Sequence, residues 1–286
     1  MQKVVKALCD ALTLAVKPIG ANASFFFFMY ALGCVSSWAV LPDSKGAKVY
    51  DNLYLELLLD TYALCIVLAL LPLAVRRWAR GLLYVALYTT SLVDVYCFVK
   101  FQSTLTPSML MLVGETDTRE AGEFLRSCVS PGVITSSVGW VLALIILHVL
   151  TALRLKFPHI IPHRTEQRLR EAGRRIAAFA SETYVKAAGL AVVIMVVWAA
   201  VVSADNKQAT WKLMSGTNIG EVEHTLTEKD HAQLYLPAYR LVFSVYANSL
   251  AAKQIDRLIA GINDVRVDSC SYSSPTIVLI IGESYS

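Results

Sequence analysis

The sequence predicts an all-α membrane protein: a five-helix transmembrane bundle, then amphipathic helices beyond the membrane, then a single β-strand. Three observations carry this. Of 286 residues, 56% are hydrophobic and only 17% charged, where soluble domains carry about 25% charged residues. The mean hydropathy is +0.52. Five stretches reach or approach the roughly 20 apolar residues that a bilayer crossing needs. The same balance excludes disordered, fibrous and basic nucleic-acid-binding classes, since the net charge is only +4.

The first stretch is about Ala21–Leu41, with four consecutive phenylalanines at Phe25–Phe28. The second is about Leu53–Val75, the third about Gly81–Val99, and the fourth about Val133–Leu153. The fifth, about Ala187–Ala204, is short but free of charge. Ahead of the first, Lys3, Lys6 and an apolar run before Ala21-Asn22-Ala23 mimic a cleavable leader. Asp10 and Lys17 interrupt that run, so an amphipathic helix on the inner membrane face is the preferred reading.

Orientation follows from the positive-inside rule. With the N-terminus inside, the inner segments hold Lys3, Lys6, Lys17, Arg76, Arg77, Arg80 and eight Lys or Arg between Arg154 and Lys186. The outer segments before the fifth span hold only Lys45, Lys48, Lys100, Arg119 and Arg126. Everything after Ala204 then lies outside the cytoplasm. Trp38 and Trp198 near outer ends and Trp78 near an inner end fit interfacial belts. The chain therefore divides into a membrane domain (1–204), an extracytoplasmic linker (205–274) and a terminal strand (275–286).

The linker is polar and punctuated by Gly216, Gly220, Pro237 and Gly261. Within it Leu241, Val242, Val245, Leu250, Ile255, Leu258, Ile259 and Ile262 follow a helical stripe, with Lys253, Asp256 and Arg257 on the other face. Two readings stand side by side: a helix lying on the outer membrane surface, or an ordinary surface helix of a small domain. The terminal run from Pro275 through Ile281 to Gly282 reads as a buried parallel strand. A strand without a sheet lacks hydrogen-bond partners, so it reads as the first piece of a domain that continues elsewhere. Ligands of open α/β sheets bind at the carboxyl ends of strands, where Glu283 stands. The segment from Gly282 to Ser286 misses a Gly-x-Ser-x-Gly nucleophile elbow, because its fifth position is Ser.

The strand ending in Ile281-Gly282-Glu283-Ser284, the five spans and the loop from Gly114 to Leu125 resemble the membrane phosphoethanolamine transferases that modify lipid A and core lipopolysaccharide, a family of the alkaline phosphatase and sulfatase superfamily. The loop reads Glu115-Thr116-Asp117-Thr118-Arg119-Glu120-Ala121-Gly122-Glu123-Phe124 and looks like that family's Glu-Thr-Asn-x-x-Glu-Ala-x-Glu-Phe pattern, with Asp117 where Asn is common. The likeness covers the amino-terminal half of a typical member. It implies a bacterial inner-membrane protein with a cytoplasmic N-terminus and a periplasmic C-terminus, and residues 275–286 as the first strand of a missing α/β sulfatase-like domain. It implies transfer of phosphoethanolamine from phosphatidylethanolamine to a lipopolysaccharide or lipid A acceptor through a phospho-threonine. It also implies that Glu283 is the first ligand of a catalytic zinc. The remaining ligands and the nucleophile would lie in a catalytic domain encoded beyond or apart from this chain, and zinc wants about four ligands. The chain alone therefore carries no catalytic residue and is expected to be inactive by itself.

Carboxylates inside the spans are the other candidate site. Glu56 and Asp60 lie four apart, on one helix face. Asp94 falls in the outer half of the third span. Charged groups in lipid are costly and mark interior or wet positions. With Glu115, Thr116 and Glu120 in the following loop they predict an acidic vestibule for the ammonium of phosphatidylethanolamine, with Tyr88 and Tyr96 adding cation–π contacts. The plainer reading is that they cross-link helices through Thr61, Thr89, Thr90 or Lys100. His148 reads as a hydrogen-bonded helix contact, and Arg164–Arg175 as a lipid-touching anchor. His159 and His163 are separated by the helix-breaking Pro162. Cys128 and Cys270 share the oxidising side and can pair there. A phosphoglycerol transferase of the lipoteichoic acid synthase type and a non-catalytic membrane partner or scaffold are the competing functions. The acidic vestibule speaks against the first, since glycerol carries no cation.

Overall fold

The computed structural model describes residues 2–42, 44–115, 131–156 and 182–266. The described residues are helical, in the order α1 (Gln2–Ala21), α2 (Ala23–Ala39), α3 (Leu53–Leu70), α4 (Leu73–Phe101), α5 (Pro107–Glu115), α6 (Pro131–Ile134), α7 (Ser137–Lys156), α8 (Glu182–Leu213), α9 (Ile219–Thr227) and α10 (Pro237–Asn263). The terminal strand at 275–286 lies outside the described residues, as do His159, His163, Arg164–Arg175, Cys128 and Cys270.

Among the described residues, three helices are long and apolar enough to cross a membrane: α3, α4 and Tyr184–Leu213 of α8. A fourth crossing arises if α1 and α2 count as one bent span. Five separate crossings were expected. The difference lies in two short helices: α2 has 17 residues, and the apolar part of α7, Ser137–Leu153, is no longer than that. At about 1.5 Å per residue, 17 residues fall short of a hydrocarbon core about 30 Å thick.

Local chemistry sets the breaks. The chain turns by 73° between Asp10–Ala21 and α2, at Asn22. The Asn22 amide donates to the Pro18 carbonyl at 3.1 Å and across to the Cys65 carbonyl on α3 at 3.3 Å. Leu71, extended because Pro72 follows it, closes α3, and Arg76 donates to the Ala69 and Leu71 carbonyls at 2.8 and 3.1 Å. Gln102 ends α4 in the left-handed region, its amide donating to the Phe98 carbonyl at 2.9 Å.

Packing follows. One core is built by Phe25, Phe28, Met29 and Leu32 of α2, Cys65 and Leu68 of α3, Val95 of α4 and Val141 of α7. α1 lies against α8 and α3, so it is part of the bundle rather than a free surface helix. At Gly189 of α8 a side chain would collide with the Leu12 backbone carbonyl of α1. Only glycine permits that approach, the usual device of close membrane helices. Large apolar side chains, among them Trp78, Trp140, Ile146, Val197 and Trp198, cover the outside of the bundle. A surface this apolar suits lipid and not water.

A second, smaller core joins the end of α8 to α9 and α10 through Leu213, Val222, Phe243, Ala247 and Leu250. α8 continues unbroken through 205 to Leu213, past the limit expected for the fifth span. This rigid extension carries the small helical unit on the end of the bundle where α3 begins and α4 finishes.

Candidate functional site

The three membrane carboxylates meet the extramembrane unit at that end. Leu53, Leu57, Tyr30, Tyr235, Leu236 and Tyr239 form an apolar seam between α3 and the start of α10. Two charge clusters flank it.

The first is an ammonium cage. Lys207, near the end of α8, places its Nζ 2.7 Å from Asp60 Oδ1 and 3.0 Å from Glu56 Oε1. It donates to the Tyr239 hydroxyl at 2.7 Å and lies 4.8 and 5.8 Å from the ring centres of Tyr239 and Tyr235. Both phenols donate to Asp60 Oδ2, that of Tyr239 at 2.7 Å. Burial, reinforced by the Asp60 charge, pushes the Tyr239 hydroxyl up to about 12 and raises Tyr235 further in the same direction. Both phenols therefore remain donors at neutral pH. Glu56 is fully buried and accepts from Asn206 Nδ2 at 3.0 Å on each oxygen. Asn206 in turn fixes the segment ahead of α10, accepting from the Gln233 amide at 2.7 Å. The Lys207 side chain is 31% exposed and that of Asp60 20%, so the cage is reachable from outside.

The second cluster is a buried ion pair. Arg240 Nε donates to Asp94 Oδ1 at 2.9 Å and its Nη2 to Oδ2 at 2.5 Å. The fork is bidentate, the strongest geometry for this pair. Arg240 also donates to the Leu234 carbonyl at 2.7 Å, while Asp94 accepts the Leu105 amide at 3.0 Å. Asp94 is fully buried, and its charge is tolerable only because it is paired.

Glu56, Asp60 and Asp94 thus gather at one end of the bundle. Each meets an internal cation that sequence reasoning did not assign to it. Of the cross-linking partners considered, Thr61 and Thr90 donate instead to their own helices at the Leu57 and Ala86 carbonyls, 2.8 Å each. Tyr88 sits elsewhere, its hydroxyl 2.9 Å from His148 Nδ1, with the imidazole stacked on Phe28 and against Tyr84. Tyr96 is buried in the bundle core. Tyr235 and Tyr239 provide the aromatic faces expected of Tyr88 and Tyr96. The missed signals were Asn206-Lys207 on the helix after the last apolar stretch and the pair Tyr235 and Tyr239, four apart.

Glu115 ends α5, and its side chain lies beyond what the structure describes. Thr116, Glu120 and Glu283 lie outside the described residues. Among the described residues no three His, Cys, Asp or Glu side chains converge as a metal site, so zinc has no assembled ligand set within them. Comparison of the chain with protein-family models, with curated proteins and with solved structures finds no match.

Proposed function

We propose that this chain is the membrane-embedded part of a phosphoethanolamine transferase. It would hold phosphatidylethanolamine at the periplasmic end of the bundle for transfer to a lipopolysaccharide or lipid A acceptor. On this reading it crosses the bacterial inner membrane five times, α2 and α7 completing the set, with its N-terminus cytoplasmic. Zinc belongs to the catalytic domain, and Glu283 is its first ligand from this chain.

The observation that carries the reading is the ammonium cage. Glu56, Asp60, Tyr235 and Tyr239 already hold a primary ammonium, that of Lys207. The ethanolamine headgroup ends in the same group, so Lys207 acts as a tethered stand-in that the donor lipid displaces. Two carboxylates around one cation also favour ethanolamine over glycerol, which has no charge to offer.

The test is retention of phosphatidylethanolamine by the purified protein, read by native mass spectrometry against phosphatidylglycerol. Lys207→Met empties the cage and should raise retention of the ethanolamine lipid selectively. Glu56→Gln with Asp60→Asn should abolish that selectivity. Equal retention by all three proteins would end the reading.

A second reading has its own support. Each of the membrane carboxylates Glu56, Asp60 and Asp94 has a cation supplied by this chain. That is what a non-catalytic scaffold with a rigidly docked extramembrane unit requires. It predicts that Lys207→Met loosens α10 from the bundle and leaves lipid selectivity unchanged.

A further inference from the structure

A cavity of about 320 Å³ lies between the start of α9 and the middle of α10, lined by Thr217, Asn218, Leu250, Lys253, Gln254 and Arg257. Its chemistry is one-sided. Lys253 and Arg257, one turn apart on the same face of α10, are exposed, and among the described residues neither has a carboxylate partner. Asn218 Oδ1 is used by the Glu221 amide at 2.9 Å, which leaves the Asn218 NH2 group as its remaining polar function. Gln254 supplies another amide. Glu221, in the first turn of α9, keeps its charge but is engaged elsewhere: its Oε2 accepts the Thr217 amide at 2.7 Å and the Thr217 hydroxyl at 3.0 Å, and it pairs with neither cation. Asp256 shares the polar face of α10 with the two cations but does not line the cavity and, among the described residues, forms no ion pair with either of them. The Glu221 amide of α9 is thus already capped by Asn218, and the charged side chains that line the cavity are the two cations Lys253 and Arg257.

We propose that this cavity binds a phosphate group, with Lys253 as a point charge and the Arg257 guanidinium as a fork across two phosphate oxygens. Asn218 and Gln254 complete the donor set. Two positive charges match a phosphate better than a single carboxylate, and the volume admits a tetrahedral oxyanion with a substituent. The phosphate is either a lipid headgroup or free in solution, and the chemistry of the cavity is the same for both. The site is separate from the ammonium cage and stands whether or not the chain takes part in headgroup transfer.

The experiment uses the full chain in an uncharged detergent. Inorganic phosphate is titrated calorimetrically, and retention of phosphatidylglycerol relative to phosphatidylcholine is read by native mass spectrometry. Saturable binding of inorganic phosphate assigns a free anion. Retention of phosphatidylglycerol without phosphate binding assigns a headgroup. Either is expected to weaken about tenfold or more in Lys253→Gln with Arg257→Gln, the loss of charged hydrogen bonds. Asn218→Asp keeps the helix cap but adds a negative charge, and should weaken the same binding while α9 remains folded. Lys212→Gln, a basic side chain of this unit already paired with Glu228, should leave it unchanged. Binding of neither probe, or binding by the double variant as tight as by the parent, overturns the proposal.

Discussion

At the residue scale the decisive quantity is the cost of a buried charge. Removing one partner of a buried pair strands the other and costs about 3–5 kcal/mol. Asp94→Ala leaves the Arg240 guanidinium buried with only the Leu234 carbonyl. A loss of that size is expected in denaturant unfolding in detergent. A double-mutant cycle with Arg240→Ala should recover most of it, because the double variant strands no charge. The phenols of the cage give a second prediction. Tyr239 is pushed from an ordinary 10.0 up to about 12, first by burial and then by the Asp60 charge. A folded value above the unfolded one means stability fully present below about pH 10 and lost as the pH climbs through about 12. Alkaline titration of phenolate absorbance should show Tyr239 ionising late, with α10 detaching in the same range. Tyr239→Phe should remove its part of that transition.

At the element scale, close approach and capping decide which helices persist. α8 meets α1 through Gly189, where any side chain would strike the Leu12 carbonyl. Overpacking of this kind costs about 1–3 kcal/mol, so Gly189→Leu should lower the unfolding free energy by that amount, read in denaturant unfolding in detergent. An equal substitution at Gly81, which has open space around it, should not. The nine-residue helix α9 depends on its first turn. Asn218 caps it, and Glu221 reaches back to the Thr217 amide, a close relative of the capping box. Asn218→Ala should cost about 1 kcal/mol and appear as faster amide exchange within α9. Those hydrogen bonds from Thr217 also hold the Glu221 carboxyl below its ordinary 4.5. A depressed folded value gives stability present above pH 4.5 and lost as the pH falls through the folded value. Acidification should therefore fray α9, and Glu221→Gln should remove that dependence.

At the scale of the whole molecule, a helical bundle with a lipid-compatible exterior carries a small helical unit fastened to one end by the Lys207 and Arg240 clusters. On the proposed reading, the charge bias of the connecting segments puts that end on the extracytoplasmic side. A periplasm-dependent reporter fused at the C-terminus should be active, and one fused between α3 and α4, at Pro72, should be silent. The opposite pattern would remove the donor-lipid reading together with the orientation.

Much of this architecture was legible because hydropathy is a local property. The second apolar run and the apolar part of α8 announce themselves by composition, and Glu56 and Asp60 stand out because carboxylates are rare in apolar runs; the run read as Leu53–Val75 nevertheless passes through Pro72, where the structure ends α3 at Leu70 and starts α4 at Leu73. The bend at Asn22 was not legible, since it depends on a hydrogen bond to Cys65 of another helix. Nor was the continuation of α8 to Leu213, because Asp205, Asn206 and Lys207 look like the start of a polar linker until their partners on α3 and near α10 are seen. The sequence by itself determined that the chain is a multi-helix membrane protein and which acids in it required an explanation. Only the tertiary structure decided that Lys207 and Arg240 neutralise them, because pairing across 147 and 146 residues of chain is a matter of distance in space, and no periodicity encodes it.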